Sequence, residues 1–127
     1  MSQDQLQTML DKYLAAYSDQ DAVGCAATFT PDGALFSPFG PPVKGRDAIA
    51  DAHREWFKAN EQNKQLNVME FHQTGELGHC LLSWSAQIPN DSRAGEFINE
   101  SGISLCILDF ASGEALISRL ALVPDTD

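Results

Sequence analysis

The chain has no C-x-x-C pair, no apolar run long enough to cross a bilayer and fewer than half as many basic residues as acidic ones. Each lack removes a class of function. Cys25, Cys80 and Cys106 form an odd set in apolar surroundings, which argues against a disulfide framework. They read as buried free thiols in a reducing cytoplasm. A membrane-spanning helix needs ~18 consecutive apolar residues, and no stretch here approaches that. The opening Met1-Ser2-Gln3-Asp4-Gln5 lacks the basic-then-apolar order of a secretory leader. Eight basic residues against 18 acidic give a net charge of −10. Such a chain has no electrostatic footprint for nucleic acid, and its spread-out acids read as a solvated surface. The glycines occur singly, without a phosphate loop, a dinucleotide fingerprint or a nucleophile elbow, so no nucleotide cofactor is indicated. His53, His72 and His79 lack metal-ligand spacing, and no metal is expected.

What is present is an ordinary globular composition. The 127 residues, 43% of them hydrophobic, suit one domain spanning 1–127. Leu6, Met9, Leu10, Tyr13, Leu14 and Tyr17 recur at helical spacing and predict an amphipathic first helix. Ser2 and Gln5 have the spacing of a capping box at its start. Asp21 can cap a short second helix reaching about Thr28. Pro31-Asp32-Gly33 has turn chemistry, and Ala34 to Ser37 reads as a short strand. Pro38, Pro41 and Pro42 lack backbone donors, so strand pairing is expected to stop there. Gly45 precedes a third helix with Ile49, His53, Trp56, Phe57 and Asn60 on one face.

Beyond Asn60-Glu61-Gln62-Asn63 the period changes to two. Strands are predicted at about 65–74, 80–88, 96–110 and 114–123, with Gly102 a candidate bend or bulge. In the second of these, Cys80, Leu82, Trp84, Ala86 and Ile88 share one face. Three helices followed by a four-strand antiparallel meander imply an α+β fold, with helices covering one face of a curved sheet.

The run Pro38-Phe39-Gly40-Pro41-Pro42-Val43-Lys44-Gly45-Arg46, following helix, helix, turn and strand, resembles SnoaL-like and ketosteroid-isomerase-like members of the nuclear transport factor 2-like superfamily. The resemblance covers nearly the whole chain, and its distinctive part is Tyr13 to Phe57. It implies a cone-shaped barrel, three N-terminal helices on a curved, mainly antiparallel sheet, with an internal pocket and no cofactor. It also implies a homodimer formed through the outer face of the sheet.

The resemblance places Tyr13 where the isomerases keep the tyrosine that donates to a developing oxyanion. Ser37 falls where those enzymes carry the proton-shuttling aspartate. A neutral serine cannot take a proton from carbon without another base, which argues against steroid isomerisation. Cys106 falls near the second oxyanion donor, an aspartic acid, and cannot replace it. His53 falls where another tyrosine hydrogen-bonds the first. A histidine there can bond Tyr13 and act as acid or base near neutral pH.

Tyr13 and His53 are therefore the candidate catalytic pair. Tyr17, Phe36, Ser37, Phe39, Trp56 and Trp84 are the candidate ligand-pocket residues, with Leu120 and either Met69 or Phe71. Each also has a plain reading as core. The polar residues Asn99, Glu100, Ser101, Asp109 and Arg119 lie on the last two strands, and alternation alone does not say which face inward. No acid near Arg119-Leu120-Ala121-Leu122 matches that of the polyketide cyclases. Two functions compete: a cofactor-free isomerase, cyclase, dehydratase or hydrolase acting on a small, largely apolar molecule, and a dimeric binding or association module without chemistry.

Overall fold

The structure, a computed structural model, describes residues 2–38, 40–90 and 92–125. The apolar stripe of the first helix does what its spacing predicts: α1 (Ser2–Ser18) buries Leu6, Met9, Leu10, Tyr13 and Tyr17. The Ser2 side chain, expected to cap α1, lies outside the described part of the structure. α2 (Ala22–Ala26) is capped as anticipated, the Asp21 carboxylate accepting from the Gly24 N–H at 3.0 Å. α3 (Arg46–Lys58) buries Ile49, Ala50, His53 and Phe57.

Among the described residues, six strands form one sheet: β1 (Phe29–Phe36), β2 (Val43–Lys44), β3 (Gln62–Thr74), β4 (Leu77–Pro89), β5 (Phe97–Asp109) and β6 (Leu116–Pro124). Their order is β2-β1-β6-β5-β4-β3, and the sheet stays open between β2 and β3. β3 to β6 form the expected meander. The sheet extends beyond it, because β1 pairs parallel with β6 and antiparallel with β2. The three helices pack on the inner face, and most of the buried apolar side chains form one cluster.

The structure corrects two readings. Pro31-Asp32-Gly33 is not a turn between elements but an irregularity inside β1, where the register with β6 shifts between Phe29 and Ala34. Pro31 needs no ladder donor there. The Arg46 guanidinium spans the Phe29 carbonyl with two bonds, from Nε at 3.0 Å and from a terminal nitrogen at 2.8 Å. Strand pairing stops at the proline run as expected: β1 ends at Phe36, and pairing resumes only where Val43 and Lys44 return beside Leu35 and Ala34. Gly102 makes no bulge. It continues the ladder between Trp84 and Pro124. A Cβ at Gly102 would stand 2.5 Å from the Val123 carbonyl oxygen and 2.7 Å from Trp84 Cζ2. The glycine is the space that the indole occupies.

Candidate functional site

Tyr13 and Tyr17 stand one turn apart on α1, and His53 faces them from α3. The Tyr13 hydroxyl lies 2.8 Å from His53 Nε2, in the core of the molecule. His53 Nδ1 lies 2.8 Å from the Ile49 carbonyl oxygen one turn earlier. A carbonyl only accepts, so Nδ1 carries the ring hydrogen. The neutral ring then offers its Nε2 lone pair, and the phenol donates into it. The imidazole is fully buried, packed tilted on Trp56 at 4.7 Å between centroids and edge-on to Tyr13 at 5.6 Å.

This burial governs the charges available. Desolvation is the main cause that lowers the His53 pKa from 6.5 to about 4. The bond to Ile49 and the carboxylate of Glu61 oppose that shift, while Lys64 adds to it. Burial, with smaller help from Cys25 and Glu61, raises the Tyr13 phenol well above its ordinary range. The pair is therefore neutral at rest.

Tyr13 borders a mostly apolar cavity of about 40 Å³, shared with Trp56, Leu82, Trp84, Cys106 and Leu120. A second compartment of about 40 Å³ opens beside it, between Trp56, Trp84, Glu61, Lys64, Glu100 and Leu122. Trp56, Lys64, Trp84 and Leu122 belong to both, so the two are one cleft with an apolar inner end and a polar mouth. At the mouth the Tyr17 hydroxyl donates to Glu61 at 2.5 Å. Lys64 pairs with Glu61 at 3.1 Å, both side chains only 13% exposed. The Lys64 ammonium sits 4.8 Å from the Trp84 ring centroid and 5.0 Å from that of Tyr17, a cation held between aromatic faces. Partial burial, then the nearby Glu61 charge, raises the Glu100 pKa.

The remaining candidates separate. Trp56, half-buried, and Trp84, buried, line both compartments. Phe36 is 38% exposed and does not border the cleft. Leu35 is the inward residue at the end of β1, so alternation turns Phe36 outward. Ser37 is half-buried just beyond β1 and borders neither compartment. Phe39 lies outside the described residues. Phe71 packs against Phe110 at 6.2 Å, whereas Met69 is exposed. A register shift between Val68 and Glu70 puts Met69 in a bulge. His72 is exposed and His79 pairs with Glu70 at 3.2 Å on the outside of the sheet. Among the described residues, no cluster of His, Cys, Asp or Glu is arranged to hold a metal ion, and no helix is long and apolar enough to cross a membrane. A wider surface depression of about 460 Å³, lined by Asp4, Thr8, Lys12 and Glu114 among others, touches none of the candidates.

Sequence reasoning did not single out Glu61 and Lys64. A signal existed: stepping back by two from Leu66 and Val68 reaches Lys64, at the same inward parity. Glu100 was one of five polar residues whose facing was open, and it borders the mouth.

No curated protein matches the chain in sequence. Solved structures share the fold. A ketosteroid isomerase-like protein from Erwinia carotovora atroseptica is 20% identical at a TM-score of 0.80, over 95% of this chain and 94% of that one. A domain of unknown function with a cystatin-like fold from Nostoc punctiforme is 15% identical at 0.82, over 99% and 78%. An NTF2-like protein from Novosphingobium aromaticivorans is 14% identical at 0.80, over 95% and 80%. At these identities the likeness speaks for the fold alone. A model of the SnoaL-like domain matches residues 10–104, three quarters of the chain. The chain thus belongs to the SnoaL-like family and shares its fold with NTF2-like proteins.

Proposed function

We propose that this SnoaL-like domain, spanning 1–127, binds a small, largely apolar molecule in its cleft and moves a proton on it without a cofactor, as an isomerase, cyclase or dehydratase does. The observation that carries this reading is the buried Tyr13–His53 hydrogen bond, with Tyr13 at the wall of an apolar cavity. Tyr13 gives its hydrogen to His53 and keeps oxygen lone pairs for the cavity side. A ligand hydroxyl or an acidic C–H can pass its proton to the Tyr13 oxygen while the phenol proton moves to His53 Nε2. The developing ligand anion then faces an imidazolium whose Nδ1–H remains on Ile49. Returning the protons by the same path at another ligand atom completes an isomerisation or an elimination. A free imidazolium is disfavoured here, since the His53 pKa lies near 4. The transfer therefore works only as a concerted step with the anion beside it.

Exchange of carbon-bound hydrogen in D2O tests this reading. A panel of small ketones and hydroxy-ketones, followed by proton NMR, is expected to include compounds whose exchange the protein accelerates. Tyr13→Phe and His53→Ala, both still folded, are expected to abolish it. Exchange that stays at the buffer rate for every compound, or is unchanged in both variants, contradicts it.

A homodimer through the outer face of the sheet accords with the surface. Ile103, Leu105 and Ile107 are each about 40% exposed there. The outward positions of β4 and β5 from Leu81 to Gln87 and from Asn99 to Ile107 carry no charge. In a chain of net charge −10, an uncharged face is the one where a second copy is least repelled. Leu105→Glu should give a monomer in sedimentation at micromolar concentration, and a wild-type monomer there removes the idea. The three buried free thiols suit a reducing cytoplasm, which cell fractionation checks.

A further inference from the structure

Cys80 on β4 and Cys106 on β5 stand directly opposite each other in the antiparallel ladder. Both belong to the buried inner face and neither is exposed at all. The proton path described above uses neither thiol. Opposed residues of an antiparallel pair have Cα atoms about 4.5 to 5.5 Å apart. A disulfide asks for about 4.4 to 6.8 Å, so this register admits one without sliding either strand. The two thiols already interact. Their hydrogen bond lowers the Cys80 pKa, against burial, and with burial raises that of Cys106. The Cys106 hydrogen is thus the one held between the sulfurs. The third cysteine, Cys25, lies apart on α2. Cys106 has one further property: it borders the apolar cavity, on a wall shared with Tyr13, Leu82 and Leu120.

We propose that Cys80 and Cys106 are a redox-modification site, a cross-strand dithiol that a peroxide entering the cleft closes to a disulfide and a small thiol reopens. Access sets the order of events. The Cys106 sulfur gives up its proton and attacks one peroxide oxygen. The O–O bond breaks, the other oxygen leaves as water with that proton, and Cys106 becomes a sulfenic acid. The Cys80 sulfur then attacks the Cys106 sulfur. The S–S bond forms, the S–O bond breaks, and a second water leaves with the Cys80 proton. Two thiols have lost two electrons, and one peroxide has become two waters. The first step is slow, because Cys106 holds its proton firmly. The second is helped by position, since Cys80 faces the sulfenic acid across the ladder. Two molecules of a small thiol reverse the bond by exchange and leave as their own disulfide. Closure draws the Cys106 sulfur toward Cys80, so the oxidation state reaches the cavity wall. None of this depends on the proton-transfer reading of Tyr13 and His53.

Trypsin sorts the three cysteines. Cleavage after Lys12, Lys44, Lys64, Arg93 and Arg119 leaves Cys25, Cys80 and Cys106 on the separate peptides 13–44, 65–93 and 94–119. The test treats the folded protein with millimolar hydrogen peroxide, denatures it in an alkylating agent, digests it without reductant and reads the masses. The expected product is 65–93 joined to 94–119 within one copy, lighter by two hydrogens, with Cys25 alkylated. Dithiothreitol given before the alkylating agent should restore three free thiols. Cys80→Ser should abolish the cross-link and leave Cys106 oxidised to a sulfenic or sulfinic acid. The methyl NMR signals of Leu82 and Leu120 should move on oxidation of the wild type and return on reduction. Three alkylated thiols after peroxide overturn the proposal. So does a cross-link between two copies or one that includes Cys25. A wild-type Cys106 sulfinic acid beside an alkylated Cys80, an untouched Cys106 in Cys80→Ser, a bond that dithiothreitol leaves closed, or leucine signals that stay in place also overturn it.

Discussion

The two ends of one cleft treat polar groups in opposite ways. At the inner end, Tyr13, His53 and the Ile49 carbonyl form a closed chain in which donor and acceptor match and no group is charged. At the mouth, Glu61, Lys64 and Glu100 bring charge to the rim, and Trp84, which lines it, buries an Nε1 that has no acceptor. Both ends draw on α3 and the inner face of β3 to β6, and α1 adds Tyr13 to the inner end. The difference is in what each does for the empty fold. A satisfied, neutral pair stabilises it and can act only by passing protons along. A buried donor without an acceptor costs it stability.

The largest expected effect comes from acidifying the inner end. His53 has a folded pKa near 4 against an ordinary 6.5. Above pH 6.5 it is neutral in both states and costs nothing. As pH falls from 6.5 toward 4, the unfolded chain takes up a proton that the folded one refuses. Stability therefore drops through that window and levels off below it, by about 3 kcal/mol in all. Urea unfolding at pH 7, 6, 5 and 4 should show this loss beyond that of a His53→Gln variant. Parallel pH curves for the two proteins would mean that the inner end is not sealed.

A smaller effect sharpens the contrast between the ends. Tyr13→Phe deletes a matched donor and strands the His53 lone pair, and should lower stability by about 1–2 kcal/mol. Trp84→Phe deletes a donor that has no partner, so the loss should be confined to packing, under about 1 kcal/mol net. Equal losses in urea midpoint would erase the distinction. The smallest effect belongs to the outer surface, away from the cleft. Lys58 and Glu55, exposed on α3 at 3.0 Å, form an ion pair worth only a few tenths of a kcal/mol, so Lys58→Ala should move the midpoint barely at all. A shift as large as that of Tyr13→Phe would show that surface charge, not the cleft, sets stability.

Much of this arrangement could be read from local pattern, because helical stripes and strand alternation are written within a few residues. The α1 stripe located Tyr13 and Tyr17, the α3 stripe located His53, and alternation in β4 put Cys80, Leu82 and Trp84 on one face. What escaped depends on distant partners. Whether Pro31-Asp32-Gly33 turns or bulges is decided by β6, almost ninety residues further on, where Phe29 pairs with Ile117. The bulge at Met69 reverses parity, so alternation could not choose between Met69 and Phe71. Gly102 reads as a break until its cross-strand neighbour is known to be an indole. The Glu61–Lys64 pair was hidden because charged residues next to a helix end look like solvent, and only the curl of β3 over Tyr17 and Trp84 brings them inside.

The most direct test of the central claim is a long-range 15N–1H NMR spectrum of the His53 ring, recorded from pH 7 down to pH 4. The account predicts a neutral ring with its hydrogen on Nδ1 at pH 7, Nε2 shifted by the Tyr13 hydroxyl, and no titration until about pH 4. A hydrogen on Nε2, or a ring that titrates near 6.5, would mean that Tyr13 does not donate to His53 and that the proton path does not exist.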